Sequence, residues 1–230
     1  MATLHHHPFC PNSRFVRLVL AEMDMAPVFN EERPWERRTE FLALNPAGAT
    51  PVLVENDGLV VPGGTTIAEY LDETRGLGLD GRRLLPAALP ARIEVRRLLD
   101  WFLNKFHEEV TGYLVTEKIF KRFIAPEHGG GPPDMNAIRA ARANVRYHLQ
   151  YIGYLIATRK WLAGDDLTFA DLAAAAHLSC ADYLGDVPWD ENETARNWYA
   201  RIKSRPSFRA LLADRVPGMA PAAHYANLDF

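Results

Sequence analysis

The chain has 230 residues, of which 48% are hydrophobic and 24% charged, and its formal net charge at pH 7 is −3. This composition is that of a globular protein with enough apolar material for a sizeable core, and the length fits one large domain or two small ones. The small negative charge argues against a dedicated nucleic-acid-binding function.

Local features exclude further protein classes. Cys10 and Cys180 lie far apart in the sequence and cannot build a disulfide framework, which fits a reducing compartment. No apolar run is long enough to span a bilayer, and histidines interrupt the stretch where a signal peptide has its apolar core. We therefore expect a cytoplasmic protein that neither inserts into a membrane nor binds nucleic acid.

A short strand is predicted from Thr3 to His6. The consecutive residues His5, His6 and His7 also allow an expression tag or a metal site. Alternation along a strand, however, places His6 on the opposite face from His5 and His7, so the three rings do not converge on one ion. We therefore predict ordinary strand residues and no metal site.

The segment from Pro8 to Arg14 leads into an apolar run, Phe15 to Ala21, that predicts a buried helix. Cys10 or Ser13 then lies near the helix start, where backbone N–H groups favour a thiolate or another anion. If the protein is an enzyme, Cys10 and Ser13 are the candidate catalytic residues. The alternative, which we prefer, makes Cys10 a small buried apolar residue and Ser13 part of a helix cap.

The following elements complete a strand-helix-strand-helix-hairpin-helix order. A strand is predicted from Val28 to Glu32 and a short amphipathic helix from Trp35 to Leu44. Two short strands, Pro51 to Glu55 and Leu59 to Val61, flank the sequence Asn56-Asp57-Gly58, which is typical of hairpin turns. A helix around Thr66 to Glu73 closes this unit, and the whole order predicts a thioredoxin-like α/β domain.

Pro51 begins the first hairpin strand, directly after a turn that contains Pro46 and Gly48. A proline that opens a strand after a polar residue is a reasonable place for a cis peptide bond, here between Thr50 and Pro51. We expect such a bond to turn the backbone of Val52 outward, which would leave its N–H and C=O groups free for a ligand.

The stretch from Asn45 to Glu73 resembles the glutathione-binding half of the glutathione transferase superfamily, through the pattern Asn-Pro-x-Gly-x-Thr-Pro-Val-Leu and the helix that follows. The resemblance implies a thioredoxin-like domain at residues 1–75 and an all-helical domain after it. Gly63 and Gly64 stand where the superfamily usually has an acidic residue and a serine that hold the glutamyl end of glutathione. We therefore expect a degenerate glutathione site at Val52, Gly63 and Gly64, with no cofactor.

The motif Cys10-Pro11-Asn12-Ser13 also resembles the monothiol motif of glutaredoxins and cysteine-type transferases. That resemblance implies mixed disulfides between Cys10 and glutathione, or a glutathione thiolate held by Ser13. Glutathione transferase and Cys10-dependent thiol oxidoreductase are therefore the alternative functions.

The rest of the chain is predicted to be helical. Residues 76–90 form an interdomain linker, residues 91–214 an all-helical domain and residues 215–230 a tail. The predicted helices run from about Pro90 to Ile124, Ile138 to Leu155, Glu191 to Lys203 and Pro206 to Ala213.

One further helix is marked by a capping box, in which Thr168 and Asp171 satisfy each other's backbone N–H groups. This motif resembles the helix-capping signature of the transferase helical domain, which implies a structural role in folding. His177 and Cys180 follow on the same apolar helix and are predicted to be core residues.

In the tail, prolines and a glycine stop any helix, yet apolar residues follow them. Two interpretations stay open: the tail docks on its own domain, or it offers a short linear epitope to a partner. The candidate partner-binding residues are Tyr225, Asn227, Leu228, Asp229 and Phe230.

Three segments resemble one branch of the transferase fold, the FzlA family of FtsZ-localised bacterial cell-division proteins. They are His5 to Pro11, Ala181 to Trp189 and His224 to Phe230. The resemblance implies a cytoplasmic homodimer that binds FtsZ at the division site, curves its filaments, supports constriction and does not work through glutathione. We therefore predict a non-catalytic FtsZ-binding protein whose tail is a candidate site for a second division partner.

Overall fold

The structure is a computed structural model that describes residues 1–79 and 83–228. A four-stranded mixed sheet lies in the N-terminal part, with the strand order β2-β1-β3-β4. Strands β1 and β2 run parallel, and the other neighbours are antiparallel. The strands are β1 (Thr3–His6), β2 (Val28–Glu31), β3 (Val52–Val54) and β4 (Val60–Pro62). The helices of this part are α1 (Pro11–Glu22), α2 (Thr39–Leu44) and α3 (Gly64–Arg75).

The order of these elements is the predicted one, but α2 is shorter than expected. The helix predicted from Trp35 to Leu44 consists of a 3₁₀ turn, Pro34–Glu36, and a separate helix that begins at Thr39. Between them Arg37 has a φ of 47°, a left-handed conformation that interrupts a right-handed helix.

The C-terminal part is helical, as predicted. Helix α4 (Leu89–Asp100) continues through two wider, π-helical segments, Trp101–Lys105 and His107–Thr111, into α5 (Gly112–Lys118). The remaining helices are α6 (Met135–Ile156), α7 (Phe169–Tyr183), α8 (Glu193–Lys203) and α9 (Arg209–Ala213). Of the predicted linker, Gly76–Gly78 form a 3₁₀ turn, and residues 80–82 lie outside the described residues.

The long helix predicted to reach Ile124 ends at Lys118 and is followed by a 3₁₀ turn, Phe120–Arg122. Its two π-helical segments were not foreseen either. A π-helical turn takes up an extra residue while the apolar side chains still recur at nearly helical spacing, so periodicity alone does not reveal it.

The sheet unit and the helical unit share one apolar core. Every residue of α7 is buried, as expected for a helix that is apolar all round and lies at the centre of a domain. Helix α1 packs against it, with the rings of Phe15 and Phe169 edge to face at 6.2 Å. The first helix of the chain is therefore held in place by the centre of the second unit.

The predicted capping box at the start of α7 is confirmed, and Asp171 does more than close it. Its carboxylate accepts hydrogen bonds from the N–H of Thr168 at 3.1 Å and of Leu162 at 2.8 Å. It also accepts a bond from the indole N–H of Trp198 at 3.0 Å. One buried carboxylate thus joins the start of α7, the loop before it and α8.

Candidate functional site

The residues proposed for thiol chemistry lie at the start of α1 in different environments. Cys10 is partly exposed, and its Sγ donates to the carbonyl oxygen of Thr50 at 3.4 Å. Ser13 has no exposed surface, and its hydroxyl oxygen lies 3.4 Å from the N–H of His7. Ser13 is therefore closed to a bound thiolate, because its own side chain is buried. The preferred interpretation of a buried Cys10 is wrong, since this thiol reaches the surface.

The predicted cis peptide bond between Thr50 and Pro51 is present. Val52, however, is fully buried and lies in register with His5 on β1 and Pro62 on β4. The expectation that the Val52 backbone is open to a ligand is therefore wrong in this structure, because strands flank it on both sides.

Gly63 and Gly64 lie at the start of α3, where an acidic residue and a serine would be needed to hold a glutamyl group. Gly63 has a φ of 90° and donates its N–H to the carbonyl oxygen of Pro51 at 2.9 Å. A side chain at this position is strained because residues with a Cβ rarely adopt such a φ. The backbone conformation at position 63 therefore favours glycine. At position 64, by contrast, an added Cβ would make only ordinary van der Waals contacts with Phe15 and Asn12.

An interdomain cleft of about 260 Å³ lies beside Cys10. Its lining includes Cys10, Asn12, Thr50, His107, Val115 and Phe120. None of the lining residues is acidic, lysine or arginine. Thr50 is only 6% exposed, and its hydroxyl has no hydrogen-bond partner among the described residues. A buried hydroxyl without a partner is unusual in a protein interior.

A chain of polar side chains runs from this cleft into the helical core. Oδ1 of Asn12 lies 3.3 Å from Nε2 of His177, and Nδ1 of His177 lies 2.9 Å from the hydroxyl oxygen of Thr111. The same hydroxyl lies 3.2 Å from Nδ1 of His107, which lines the cleft. Burial lowers the pKa of His107 and holds the pKa of His177 well below its usual value. His177 is thus the predicted core residue, but sequence reasoning missed its link to His107.

The tail docks on its own chain at Tyr225, which is fully buried. Its hydroxyl accepts a hydrogen bond from Arg14 at 3.1 Å and donates one to the carbonyl oxygen of Leu211 at 2.9 Å. Its ring packs edge to face on Tyr183 at 5.1 Å. Tyr225 therefore anchors the tail on its own chain, and its assignment as a partner-binding residue is wrong.

Arg14, which donates the hydrogen bond to Tyr225 of the tail, is itself fully buried. It donates to the hydroxyl of Ser179 at 2.8 Å and to the carbonyl oxygen of Pro8 at 2.7 Å, and its charge lies 3.2 Å from a carboxylate oxygen of Asp214. Because the buried guanidinium is paired and hydrogen-bonded, its burial is tolerated.

A second buried cluster holds the residue before Tyr225. Asp182 lies 2.8 Å from Nε2 of His224 and 3.5 Å from the ammonium of Lys203, and it accepts a hydrogen bond from Trp189 at 2.8 Å. Beyond this point Asn227 and Leu228 are exposed. The other two candidate epitope residues, Asp229 and Phe230, lie outside the described residues.

The three consecutive histidines occupy β1 and the turn after it, as predicted for His5 and His6. Burial lowers the pKa of His6 to about 3 and the pKa of His7 to about 4. Across residues 1–79 and 83–228 we find no group of three or more histidine, cysteine, aspartate or glutamate residues suited to hold a metal ion. Over the same residues, no helix has the length and apolar character needed to cross a bilayer.

Comparison with known families matches both parts of the chain. The glutathione S-transferase N-terminal domain matches residues 4–79, and the glutathione S-transferase C-terminal domain matches residues 131–206. The first match includes the cis bond and the two glycines described above, and the second includes the capping box.

The chain is also similar to individual proteins over nearly its whole length. FtsZ-localized protein A of Caulobacter vibrioides is 49% identical over 99% of this chain and 98% of that protein. A crystal structure described as a glutathione S-transferase from Sinorhizobium meliloti 1021 is 51% identical, covers both chains completely and superposes with a TM-score of 0.98. The structure of FzlA from C. crescentus is 48% identical, covers 100% of this chain and 99% of that one, and gives a TM-score of 0.92.

Proposed function

We propose that this chain, which belongs to the glutathione S-transferase family, is a non-catalytic protein that binds FtsZ and acts in bacterial cell division. The observation that carries the proposal is the 49% identity to FtsZ-localized protein A over 99% of the chain. The similarity extends over the tail, which lies beyond the two transferase domains. It therefore concerns more of the chain than the shared transferase fold. Fold alone would not distinguish a binding protein from an enzyme.

The chemistry of the glutathione site supports a function without catalysis. Glutathione carries two carboxylates, and each charge-assisted hydrogen bond to such a group is worth about 1.5–3 kcal/mol. Gly63 and Gly64 provide no side chain for the glutamyl end, so its carboxylate lacks a hydroxyl partner, and buried Ser13 provides no hydroxyl for the thiolate. Losing even one such bond weakens binding about tenfold or more, so glutathione at its usual site would be held poorly.

The proposal extends to the assembly in which the protein works. The protein acts as a homodimer in the cytoplasm at the division site, where it curves FtsZ filaments and supports constriction. The end of the tail, Asn227 to Phe230, contacts a second division partner. Buried Tyr225 supports this arrangement because it holds the tail on its own chain, two residues before the exposed Asn227.

Co-pelleting tests FtsZ binding directly. FtsZ is polymerised with GTP, and the purified protein is centrifuged with the polymers, with GDP as the control that leaves FtsZ unassembled. We expect the protein to pellet with GTP and remain in the supernatant with GDP, and negative-stain microscopy of the same samples to show curved filaments. If the protein stays in the supernatant at every concentration while FtsZ pellets, the proposed function is wrong.

Glutathione titration separates the two classes of function on the same preparation. Calorimetry is expected to give no heat of binding below millimolar glutathione. A micromolar dissociation constant together with conjugation of an electrophile would favour a glutathione transferase instead.

A Cys10-dependent thiol oxidoreductase is the second candidate, favoured by the partial exposure of Cys10 beside the cleft. In such a reaction the Cys10 thiolate attacks glutathione disulfide, forms a mixed disulfide and releases one glutathione thiolate. Cys10→Ala and Cys180→Ala form a matched pair, because Cys180 is buried and its pKa is raised to about 12 by that burial. We expect both variants to support division equally. Loss of division with Cys10→Ala alone, with the fold intact, would favour the oxidoreductase.

A further inference from the structure

The tail packs on a small apolar cluster that is separate from the main core, and we call it the satellite cluster. It joins the turn before α1, the end of α5, the last part of α7 and the tail. Its buried members are Phe9, Val115, Ile119, Cys180, Tyr183, Val216 and Tyr225. Within the described residues, no buried side chain after Leu211 belongs to the main core. The attachment of the tail is therefore distinct from the packing that holds the two units together.

Residues 216–225, here called the strap, are held by two buried anchors, Val216 at one end and Tyr225 at the other. The side chains between these anchors are half-buried or exposed. Two of the backbone N–H groups in the strap donate to Tyr183, that of Val216 to the hydroxyl at 3.0 Å and that of Ala222 to the carbonyl oxygen at 2.9 Å. A segment with so few buried apolar side chains lies at the low end of the local stabilities within a protein.

Tyr225 reaches the turn before α1 through two side chains. Its ring packs on Tyr183 at 5.1 Å, and the ring of Tyr183 packs edge to face on Phe9 at 4.6 Å. Its hydroxyl accepts a hydrogen bond from Arg14 at 3.1 Å, and the guanidinium carbon of Arg14 lies 4.5 Å from the centre of the Phe9 ring. Phe9 is thus held between two side chains that both contact Tyr225, and Cys10 follows directly in the sequence.

Release of the strap leaves both buried charges beside it paired. Arg14 keeps its ion pair with Asp214 at 3.2 Å, because Asp214 precedes the strap. Asp182 loses its contact with His224 but keeps the ammonium of Lys203 at 3.5 Å. A buried charge without a partner is the costly state, and release of the strap creates none at these two sites. The strap can therefore open while the rest of the chain stays folded.

We infer that the strap opens as one unit with the turn that carries Phe9 and Cys10, while the main core remains folded. When the strap is docked, Tyr225 holds Tyr183 and Arg14 against Phe9. When the strap is released, the satellite cluster loses one side and this turn is freed. The end of the chain thereby regulates the conformation of the segment that begins α1, by a local opening that does not require global unfolding.

Amide hydrogen exchange tests whether the strap and the turn open together. In the wild type we expect the N–H groups of Ala222 and Cys10 to have the same free energy of opening, lower than that of the N–H groups in α7. Tyr225→Phe removes the hydrogen bond to Arg14 and should accelerate exchange of Ala222 and Cys10 about tenfold.

Ile152→Val is the matched control, because Ile152 is fully buried in the main core. It should accelerate exchange in α7 severalfold and leave Ala222 and Cys10 unchanged. Wild-type exchange rate at Cys10 in Tyr225→Phe would show that the turn does not open with the strap. Equal free energies of opening for all three sites in the wild type would show that only global unfolding exposes them. Either result would overturn the inference.

The thiol of Cys180 gives an independent measurement, because it is fully buried in the satellite cluster and the sequence contains only one other cysteine. In a Cys10→Ala background, the rate at which N-ethylmaleimide labels Cys180 reports release of the strap. Adding Tyr225→Phe should raise this rate about tenfold, whereas adding Ile152→Val should leave it unchanged. An unchanged rate with Tyr225→Phe, or an equal increase with both substitutions, would overturn the inference.

Discussion

Nη1 of Arg14 lies 3.1 Å from the hydroxyl oxygen of Tyr225, although 211 positions separate the two residues in the sequence. Both side chains are fully buried. The contact joins the first helix of the chain to its tail. It lies beside α7, where the hydroxyl of Ser179 accepts a second hydrogen bond from Nη1 of Arg14. The tail segment before residue 226 is therefore part of the folded protein and not an appendage to it.

The first prediction concerns this hydroxyl. Tyr225→Phe leaves a buried guanidinium proton and the carbonyl oxygen of Leu211 without a partner, so we expect the free energy of unfolding to fall by about 1–3 kcal/mol. Chemical denaturation measures it. Tyr154→Phe is the matched control, because Tyr154 is 73% exposed, and it should leave the midpoint unchanged. Equal stability of both variants would contradict a role for the Arg14 contact.

Two truncations should behave differently. Removal of residues 227–230 keeps Tyr225 and should leave the melting temperature within a few degrees of wild type while impairing division. Removal of residues 225–230 also deletes buried Tyr225, and loss of a large buried aromatic side chain costs about 3–5 kcal/mol. Thermal melts beside a division-complementation assay separate the two effects. Full division after removal of residues 227–230 would show that these residues are not a partner site.

Asp171→Ala should destabilise the protein more than a simple cap would. A lost helix cap costs about 0.5–2 kcal/mol. The variant also leaves the buried N–H groups of Leu162 and Trp198 without a partner, and each such loss costs about 1–3 kcal/mol. We therefore expect the free energy of unfolding to fall by about 3 kcal/mol or more. Denaturant unfolding tests this against Asp165→Ala, in which an exposed carboxylate is removed. A loss no larger than that of the control would show that the network contributes nothing.

Restoring side chains at the degenerate site should not restore glutathione binding. Gly64→Ser fits ordinary contact distances and should keep wild-type stability, whereas Gly63→Glu places a side chain at a φ of 90° and should cost about 1–3 kcal/mol. We expect no measurable binding of submillimolar glutathione by either variant, as determined by calorimetry. Micromolar binding by Gly64→Ser would mean that a single serine suffices to rebuild the site.

The free energy of unfolding should decrease when the pH is lowered from 7 to 5, because buried histidines resist protonation in the folded protein. Burial lowers the pKa of His6 from 6.5 to about 3, so between these values the unfolded chain binds more protons than the folded one. Lowering the pH therefore favours unfolding, by about 2 kcal/mol for this residue between pH 7 and pH 5. His6→Phe should remove that part of the pH dependence, whereas His128→Phe, at an exposed position, should not. If His6→Phe and wild type lose the same free energy of unfolding between pH 7 and pH 5, the assignment to His6 is contradicted.

The sequence was informative wherever a structure depends on nearby residues. The four strands, the cis bond at Pro51 and the capping box at Thr168 were all predicted, because alternation, proline placement and cap spacing are local properties. The similarity of the chain to transferases supplied the arrangement of these pieces.

The parts that sequence reasoning missed depend on distant partners. Nothing near Arg14 indicates that its charge is buried, because its partners Ser179 and Tyr225 follow 165 and 211 residues later. Tyr225 lies in an aperiodic segment, where an apolar residue fits a docked tail and a free epitope equally well. The link between His107 and His177 likewise depends on a π-helical segment that periodicity does not reveal.

The burial of Arg14 also fixes an order of events during synthesis. When α1 leaves the ribosome, the guanidinium of Arg14 is without Ser179, Asp214 and Tyr225, because these residues have not yet been translated. A buried charge without partners is costly, so the N-terminal unit cannot close over this side chain while it is the only part made. Although domains commonly fold from the N-terminus as they emerge, here the packing around α1 is completed only after residue 225 has emerged. A nascent chain arrested before the tail would thus keep its first helix accessible to chaperones and proteases.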